Sequence, residues 1–518
     1  MEYSRSINRR EFRHSGLDGC TQIIRRSATN SRRYFAKKTR ASAIGSSRLD
    51  IESGLRLLLT NKRKTKLFRA SMRQISVVYF QRRVAALCRT YSLLSKEERH
   101  DCLWELALRY TVDHRNICQL LSVKMFYFIF IINPQSERKS QLILRERSLK
   151  NALTPHYQWL FVLMGRLEHG VKFLVDLRTD VLELLSETVE PEKTIVMQQL
   201  NITLHDLLLL WFSVGFLHLE RITWQSSCDM LQKISDYEAI HPIRNWLDLK
   251  RRVGPYRRCF VFTHPSMPRE PLVVLHTALC DLIPESVKGI EEAEARIVSK
   301  TADSRPRENK GEIKAAIFYS IASTQKGLKG IDLGNYMIKE VAKEVTREFP
   351  SIDQLSSLSP IPKFRAWFLD RLKQDSMRMF TGREEEALAN VLRSRDPKTA
   401  LRKLLNNSLW TNDNEVAEFL RIPLTRLCAW YLYSEKRRNY ALNSVANFHL
   451  RNGAIMWRIN WMADPSPRGA ENSCGIMVNY RYIPDETEEN SRNYIERKEI
   501  KASESVLKLV EEARAVQD

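Results

Sequence analysis

The segment Thr324-Gln325-Lys326-Gly327-Leu328-Lys329-Gly330-Ile331-Asp332 holds residue types suited to an anion. Glycines let a backbone approach a ligand closely. Amides that open a helix lack partners and carry partial positive charge, so they bind phosphate well. Lys326 and Lys329 add two cations. The spacing Q-x-G-x-x-G is neither a Walker loop nor the dinucleotide fingerprint G-x-G-x-x-G. As bare pattern, an anion cradle and a structural strand-to-helix turn fit it equally. A second basic cluster, Arg251, Arg252, Arg257 and Arg258, could meet phosphates, but a solvated face with local salt bridges explains it more simply. The nine cysteines are odd in number and include no C-x-x-C pair. Neither a zinc site nor a disulfide framework is signalled, and a reduced intracellular compartment fits.

An anion loop needs a strand and a helix to hold its two ends. Ala315–Ser323 reads as the strand. Leu333, Met337, Val341 and Val345 line one face of the helix, which Pro350 stops. Cys259–His264 and Leu272–Leu279 read as adjacent antiparallel strands around the turn-forming insert Pro265–Pro271. Trp457, Ile459 and Trp461 alternate with Arg458 and Asn460, as in a half-buried strand. Asn443–Ala454 reads as a short helix capped by Gly453, and residues 299–311 as an exposed loop. Upstream of Trp211 the pattern is helical. Val77, Phe80, Val84, Leu87 and Tyr91 share a face, as do Leu174, Leu177, Val181 and Leu184. Ser95 and Glu98 make a capping box ahead of Leu103, Leu106 and Tyr110. The expected architecture is α+β, with an all-α segment over 46–210 followed by a mixed-sheet segment over 211–512 and a short tail at 513–518.

At 518 residues, with 43% hydrophobic and 28% charged side chains, the chain is long enough for two or three folding units. Wholesale disorder and collagen-like readings are excluded. The formal charge of +22 points to an anionic partner: nucleic acid, a membrane surface or a phosphorylated small molecule. Residues 1–45 hold eleven Lys and Arg against three acidic residues, leaving +14 elsewhere. An Arg-rich, Ser-bearing, acid-poor start predicts a mitochondrial transit peptide; a disordered basic tail is the plainer alternative. The longest conspicuous apolar run, Met125–Ile132, is too short to span a bilayer, so no integral membrane contact is expected.

The strand, Q-x-G-x-x-G loop and helix resemble the pyrophosphate-binding turn of the GNAT acyltransferase superfamily, whose loop amides cradle the diphosphate of coenzyme A. The helix ending at Gly453 is similar to that superfamily's F-Y-x-x-x-G helix end, with Phe448-His449 where Phe-Tyr is usual. Longer runs narrow the likeness: LKRRVGPYRRC (249–259), EPLVVLHTAL (270–279), AAIFYSIASTQKGLKGIDLG (315–334), SSLSPIP (356–362), LCAWYLY (427–433), VANFHLRNGAIMWRINWMAD (445–464), NYRY (479–482) and KASESVLKLV (501–510). Together they resemble the malonyl-CoA decarboxylase family over nearly all of 211–512, and more faintly over the helical half. Strings this long, spread over about 250 residues, exceed chance motif matching.

The resemblance implies decarboxylation of malonyl-CoA to acetyl-CoA and carbon dioxide, which favours fatty acid oxidation. It implies no metal and no organic cofactor; the coenzyme A thioester is the substrate. It also implies a GNAT-like catalytic domain over 211–512, an oligomerisation role for the helical domain, and a homotetramer. The serine of the family's SLSP run is Ser359, with the role of proton acceptor and malonyl contact. The histidine of its NFHL run is His449, the proton donor. Tyr482 falls in the family's active site. Lys329, Gly330, Ile331, Asp332, Leu333, Gly334 and Asn335 match the CoA and malonyl contact loop, with Gln325 and Gly327 just ahead of it. A mitochondrial matrix location is expected, with cytoplasmic or peroxisomal pools in view, although the C-terminus Ala-Val-Gln-Asp lacks an SKL signal.

Chemistry supports these residue types independently. Loss of carbon dioxide from a malonyl thioester leaves an enolate, which preorganised donors must stabilise. Histidine can then deliver a proton near neutrality. Outside the family, a serine before proline is usually a turn or cap residue. His449 near a helix C-terminus would offset the dipole, and Tyr482 would be a core aromatic. The chain departs from the family at Asp332, a further catalytic candidate where glutamate is usual and whose shorter side chain bears on any hydrogen bond to the Ser359–His449 pair, and at Ser444, where proline is usual. The Met125–Asn133 run has no counterpart, and an insertion and an error in the recorded sequence both fit it. Cys228 matches a subunit-linking cysteine of some relatives, while Pro265 occupies another such position. Two competing readings are an acyl-CoA acyltransferase of the same superfamily and a mitochondrial RNA-binding protein. The second lacks any RRM or KH signature, so no nucleic acid partner is expected.

Overall fold

The computed structural model describes Ser53, Leu55 and residues 74–121, 135–299, 308–374 and 377–517. The expected transit peptide, the Met125–Asn133 run and most of the 299–311 loop lie outside the described residues. The chain divides into two compact units, Met1–Leu163 and Met164–Asp518.

The first unit is helical: α1 (Gln74–Ser92), α2 (Lys96–Arg109), α3 (His114–Leu121), α4 (Gln135–Ala152) and the start of α5 (His156–Gly165). Val84, Leu87 and Tyr91 are buried along α1; the side chains of Val77 and Phe80 lie outside the described set. The Ser95–Glu98 capping box forms at the start of α2 and satisfies two orphan amides reciprocally. Leu103, Leu106 and Tyr110 are buried beyond it.

The second unit opens with two helices, α6 (Gly170–Glu187) and α7 (Pro191–Trp211). Leu174, Leu177, Val181 and Leu184 are buried on α6, the face expected from their spacing. α6 and α7 belong to the same compact unit as the sheet. Arg178 on α6 bonds the carbonyl of Gly327, far along the chain.

An eight-stranded sheet follows. Its strands are β1 (His218–Ile222), β2 (Arg257–Thr263), β3 (Val273–Cys280), β4 (Ala315–Ser323), β5 (Gln354–Ser357), β6 (Ser359–Pro360), β9 (Ile455–Asn460) and β10 (Met477–Tyr482). A separate hairpin joins β7 (Lys436–Arg437) to β8 (Tyr440–Ala441). The sheet order is β1-β2-β3-β4-β5-β10-β6, with β9 also paired to β10. Neighbours are antiparallel except β4 and β5, which are parallel and joined by the crossover helix α8 (Leu333–Glu348). Leu333, Met337, Val341 and Val345 are its buried face, as expected.

Two irregularities open one end of this parallel pair. The β3–β4 register shifts between His276 and Thr277, which leaves Tyr319 without an opposite residue. The β4–β5 pairing spans Ala315–Phe318 on β4 only, while β4 continues to Ser323. The carboxyl ends of parallel strands are where open α/β sheets bind ligands.

Three expectations need amendment. Asn460 is buried and Trp457 and Ile459 only half-buried, so polarity does not report the inner face of β9. The cause is a polar cluster: Arg458 and Asn460 both donate to the Asn479 side-chain oxygen. The arginine cluster makes the expected salt bridges, but Arg258 is 1% exposed and not on a solvated face. It binds Glu308 and Glu348 at 2.7 Å each. The last helix, Glu504–Gln517, extends through the segment read as a tail and buries Ala513 and Val516.

Candidate active site

Ser359 stands where β5 gives way to β6. Its neighbour Pro360 restricts Ser359 to extended backbone, and Ser359 pairs with Val478 on β10. His449 lies on α9 (Ser444–Arg451). The side-chain oxygen of Asn443 caps this helix by accepting from the Val445 and Ala446 amides. The same side chain donates to the Pro362 carbonyl at 3.0 Å, tying the start of α9 to the Ser359 segment.

The two side chains meet. Ser359 Oγ is 2.8 Å from His449 Nε2, and His449 Nδ1 is 2.7 Å from the Tyr482 hydroxyl. Ser357 Oγ lies 2.8 Å from Ser359 Oγ on the other side. Tyr480 stacks on the imidazole with centroids 4.4 Å apart. Ser359, His449 and Tyr482 are all buried. Burial disfavours the charged imidazolium and pushes the His449 pKa down to about 3. Burial pushes the Tyr482 phenol up, so it stays protonated. The result is a chain of four buried hydrogen-bonding groups, all neutral at neutral pH.

The glycine-bearing loop leads into α8. Asp332 is exposed at the N-cap position, and its partner among the described residues is the Asn335 amide, not the Ser359–His449 pair. Asn335 Oδ1 accepts from Asn452 Nδ2 at 2.6 Å, and the Asn452 amide donates to the His449 carbonyl. Asp332 therefore reaches the helix of His449 through two asparagines. A Cβ on Gly334 would lie 3.1 Å from Phe448, so α9 packs directly against the start of α8.

The other loop residues divide by role. Gln325 is buried and donates to the Pro271 carbonyl at 3.3 Å, which anchors the loop to the β2–β3 connection. Gly327 sits under α6, where a Cβ would stand 1.8 Å from the Val175 carbonyl oxygen. Ile331 and Leu333 are buried, so they can offer a ligand only backbone. Lys329 is exposed, whereas Lys326 Nζ turns to Glu183 on α6 at 3.6 Å. Gly330 has φ +89°, a conformation that favours glycine. Among the described residues, the amides of Gly330, Asp332 and Gly334 have no protein acceptor.

Ser357, Tyr480, Asn452 and Arg178 are site residues that the sequence reading missed. Ser357 and Tyr480 could have been found, because each stands two positions before a nominated residue and alternate strand residues share a face. Asn452 and Arg178 carry no such signal. Among the described residues no group of three or more His, Cys, Asp or Glu is placed to hold a metal ion. Nor is any described helix long and apolar enough to cross a membrane.

The chain is similar to known proteins over most of its length. The family model of the malonyl-CoA decarboxylase C-terminal domain matches residues 215–518, and that of the N-terminal domain matches 133–212. The chain is 45% identical over 437 residues to the mitochondrial malonyl-CoA decarboxylase of Anser anser anser, covering 83% of each chain. It is 45% identical over 424 residues to the Rattus norvegicus mitochondrial enzyme of that name, covering 81% of this chain and 83% of the relative. The crystal structure of malonyl-CoA decarboxylase from Rhodopseudomonas palustris superposes with a TM-score of 0.70 at 27% identity, covering 89% of this chain and 100% of that one. The Agrobacterium vitis structure gives 0.70 and 27%, covering 89% and 99%. The chain belongs to the malonyl-CoA decarboxylase family.

Proposed function

We propose that this chain converts malonyl-CoA to acetyl-CoA and carbon dioxide in the site built from Ser359, His449, Tyr482 and the 325–335 loop. The carrying observation is the buried Ser359–His449–Tyr482 hydrogen-bond chain beside a loop with unpartnered amides. Those amides suit the diphosphate of coenzyme A in the manner of a GNAT turn. The Ser359 hydroxyl donates to the malonyl carboxylate. The bond from C2 to the carboxylate breaks, its electron pair passes onto the thioester as an enolate, and carbon dioxide leaves. With the Tyr482 phenol donating to Nδ1, the ring proton sits on Nε2 and points at Ser359. Ser359 gives its proton to C2 and accepts that of His449, and Tyr482 relays a replacement that solvent restores. A neutral, buried relay excludes bulk water from the enolate. No cofactor enters this scheme, since the thioester itself holds the electron pair.

The mature protein is a homotetramer in the mitochondrial matrix, with residues 1–45 as its import segment and the helices ahead of the sheet serving assembly. The mitochondrial names of the relatives and the basic composition of 1–45 support the location and the import segment, and the family resemblance is what suggests the tetramer. Incubation with malonyl-CoA alone in deuterium oxide tests the reaction. One mole of carbon dioxide and acetyl-CoA with a single methyl deuterium are expected per turnover. Release of free coenzyme A without carbon dioxide would instead mean an acyltransferase or hydrolase.

A further inference from the structure

The loop that opens α8 is held from the side by α6 and α7. Arg178 on α6 is 3% exposed. Its Nη1 donates to the Gly327 carbonyl at 2.5 Å, and its Nε donates to Asn201 Oδ1 on α7 at 3.0 Å. The backbone of α6 closes on the same glycine at Val175, and His205 Nε2 on α7 lies 3.7 Å from where a Cβ on Gly330 would stand.

A buried guanidinium is costly unless its donors are used. Here two of them are used, one on a loop carbonyl and one on the amide that braces the arginine. An anion-binding loop must aim N–H groups at its ligand and turn carbonyl dipoles away. The Leu328 and Ile331 carbonyls are turned inward, accepting from the Ile331 and Leu333 amides at 3.0 and 2.9 Å. Arg178 takes the Gly327 carbonyl toward α6. Among the described residues, the amides of Gly330, Asp332 and Gly334 are among those left open.

We propose that Arg178, braced by Asn201, is a positioning residue for coenzyme A: it fixes the Gly327 peptide so that the loop presents its amides to the diphosphate. This rests on the reading that the 325–335 loop takes the diphosphate. Arg178 touches no substrate atom in this role. It makes α6 and α7 part of the apparatus that binds substrate.

The test compares malonyl-CoA with malonyl-pantetheine, which keeps the reacting thioester and lacks the nucleotide diphosphate, using the full chain. Arg178→Met is expected to raise KM for malonyl-CoA about tenfold, with kcat within about twofold. KM for malonyl-pantetheine should move by less than about twofold. Arg178→Lys should recover part of the loss, and Asn201→Ala should shift the same KM in the same direction by less. Equal losses with both thioesters, or a loss in kcat at unchanged KM, would overturn the assignment and leave Arg178 a structural residue. Should Arg178→Met fail to fold, Asn201→Ala, at a half-buried site, carries the comparison. A wild-type protein that turns over both thioesters with equal KM would refute diphosphate binding by the loop itself, and Arg178 positioning with it.

Discussion

His449 has both ring nitrogens in use, one on Ser359 and one on Tyr482, and neither partner is charged. Serine, histidine and tyrosine in line form a proton path rather than an ion pair. Ser359→Ala and His449→Ala should each lower kcat by about a hundredfold or more, in line with general acid–base catalysis, while circular dichroism stays native. Wild-type rates in both variants would remove the path from the mechanism. Tyr482→Phe keeps the ring but loses the proton, and should cost kcat with little change in KM. Burial of neutral His449 also makes stability depend on pH. Its folded pKa of about 3 lies below the ordinary 6.5. As pH falls below 6.5 the unfolded chain gains a proton that the native protein refuses until about pH 3, so native stability falls over that window. Between pH 6.5 and 5, wild type should lose about 1.6 kcal/mol more than His449→Leu in urea melts. Parallel acid limbs for the two would show that the ring is solvated. Among these residues Ser359 and His449 were legible through family strings. Ser357 was legible by strand alternation alone.

At the level of elements, the site depends on where β4 loses β5. Pairing ends at Phe318, the chain turns at Leu358, and Ser359 and the 325–335 loop occupy the opening. Local sequence predicted the strand, the loop and the helix, because periodicity reports a buried face wherever packing is simple. It did not predict the inner face of β9, where hydrogen bonds to Asn479 hold Arg458 and Asn460 against the sheet. Nor could it say what lies over Gly327. A methyl group there would collide with the Val175 carbonyl oxygen at 1.8 Å, and backbone on an α-helix cannot yield cheaply. Gly327→Ala should therefore displace the loop and lower kcat/KM for malonyl-CoA about tenfold or more. A wild-type value would mean that the loop and α6 separate without consequence.

Over the whole molecule, the basic charge is not spent on one surface. Arg258 is buried between Glu308 and Glu348, and Arg257 pairs with Glu294 at 3.0 Å. Burial would raise the Glu348 carboxyl, but the Arg258 guanidinium outweighs it and holds the group below its ordinary value. Removing one partner of a buried pair leaves an uncompensated charge. Arg258→Ala should destabilise the folded chain by about 3 kcal/mol in chemical denaturation. A loss under about 1 kcal/mol would place the network among exposed pairs. Arg258 holds β2 to α8 and to the Glu308 segment, and Arg257 holds β2 to the helix that carries Glu294.

The amino-acid sequence by itself determined the class of fold and the family, and it nominated the serine, the histidine and the loop. Each is carried by local periodicity or by contiguous strings, and neither needs a distant partner to be read. Only the tertiary structure decided that Tyr482 completes a neutral relay, that Asp332 works through Asn335 and Asn452, and that Arg178 grips Gly327. These links join residues far apart in the chain. Their geometry comes from how β4, α6 and α9 pack around one opening, and no spacing along the sequence encodes it.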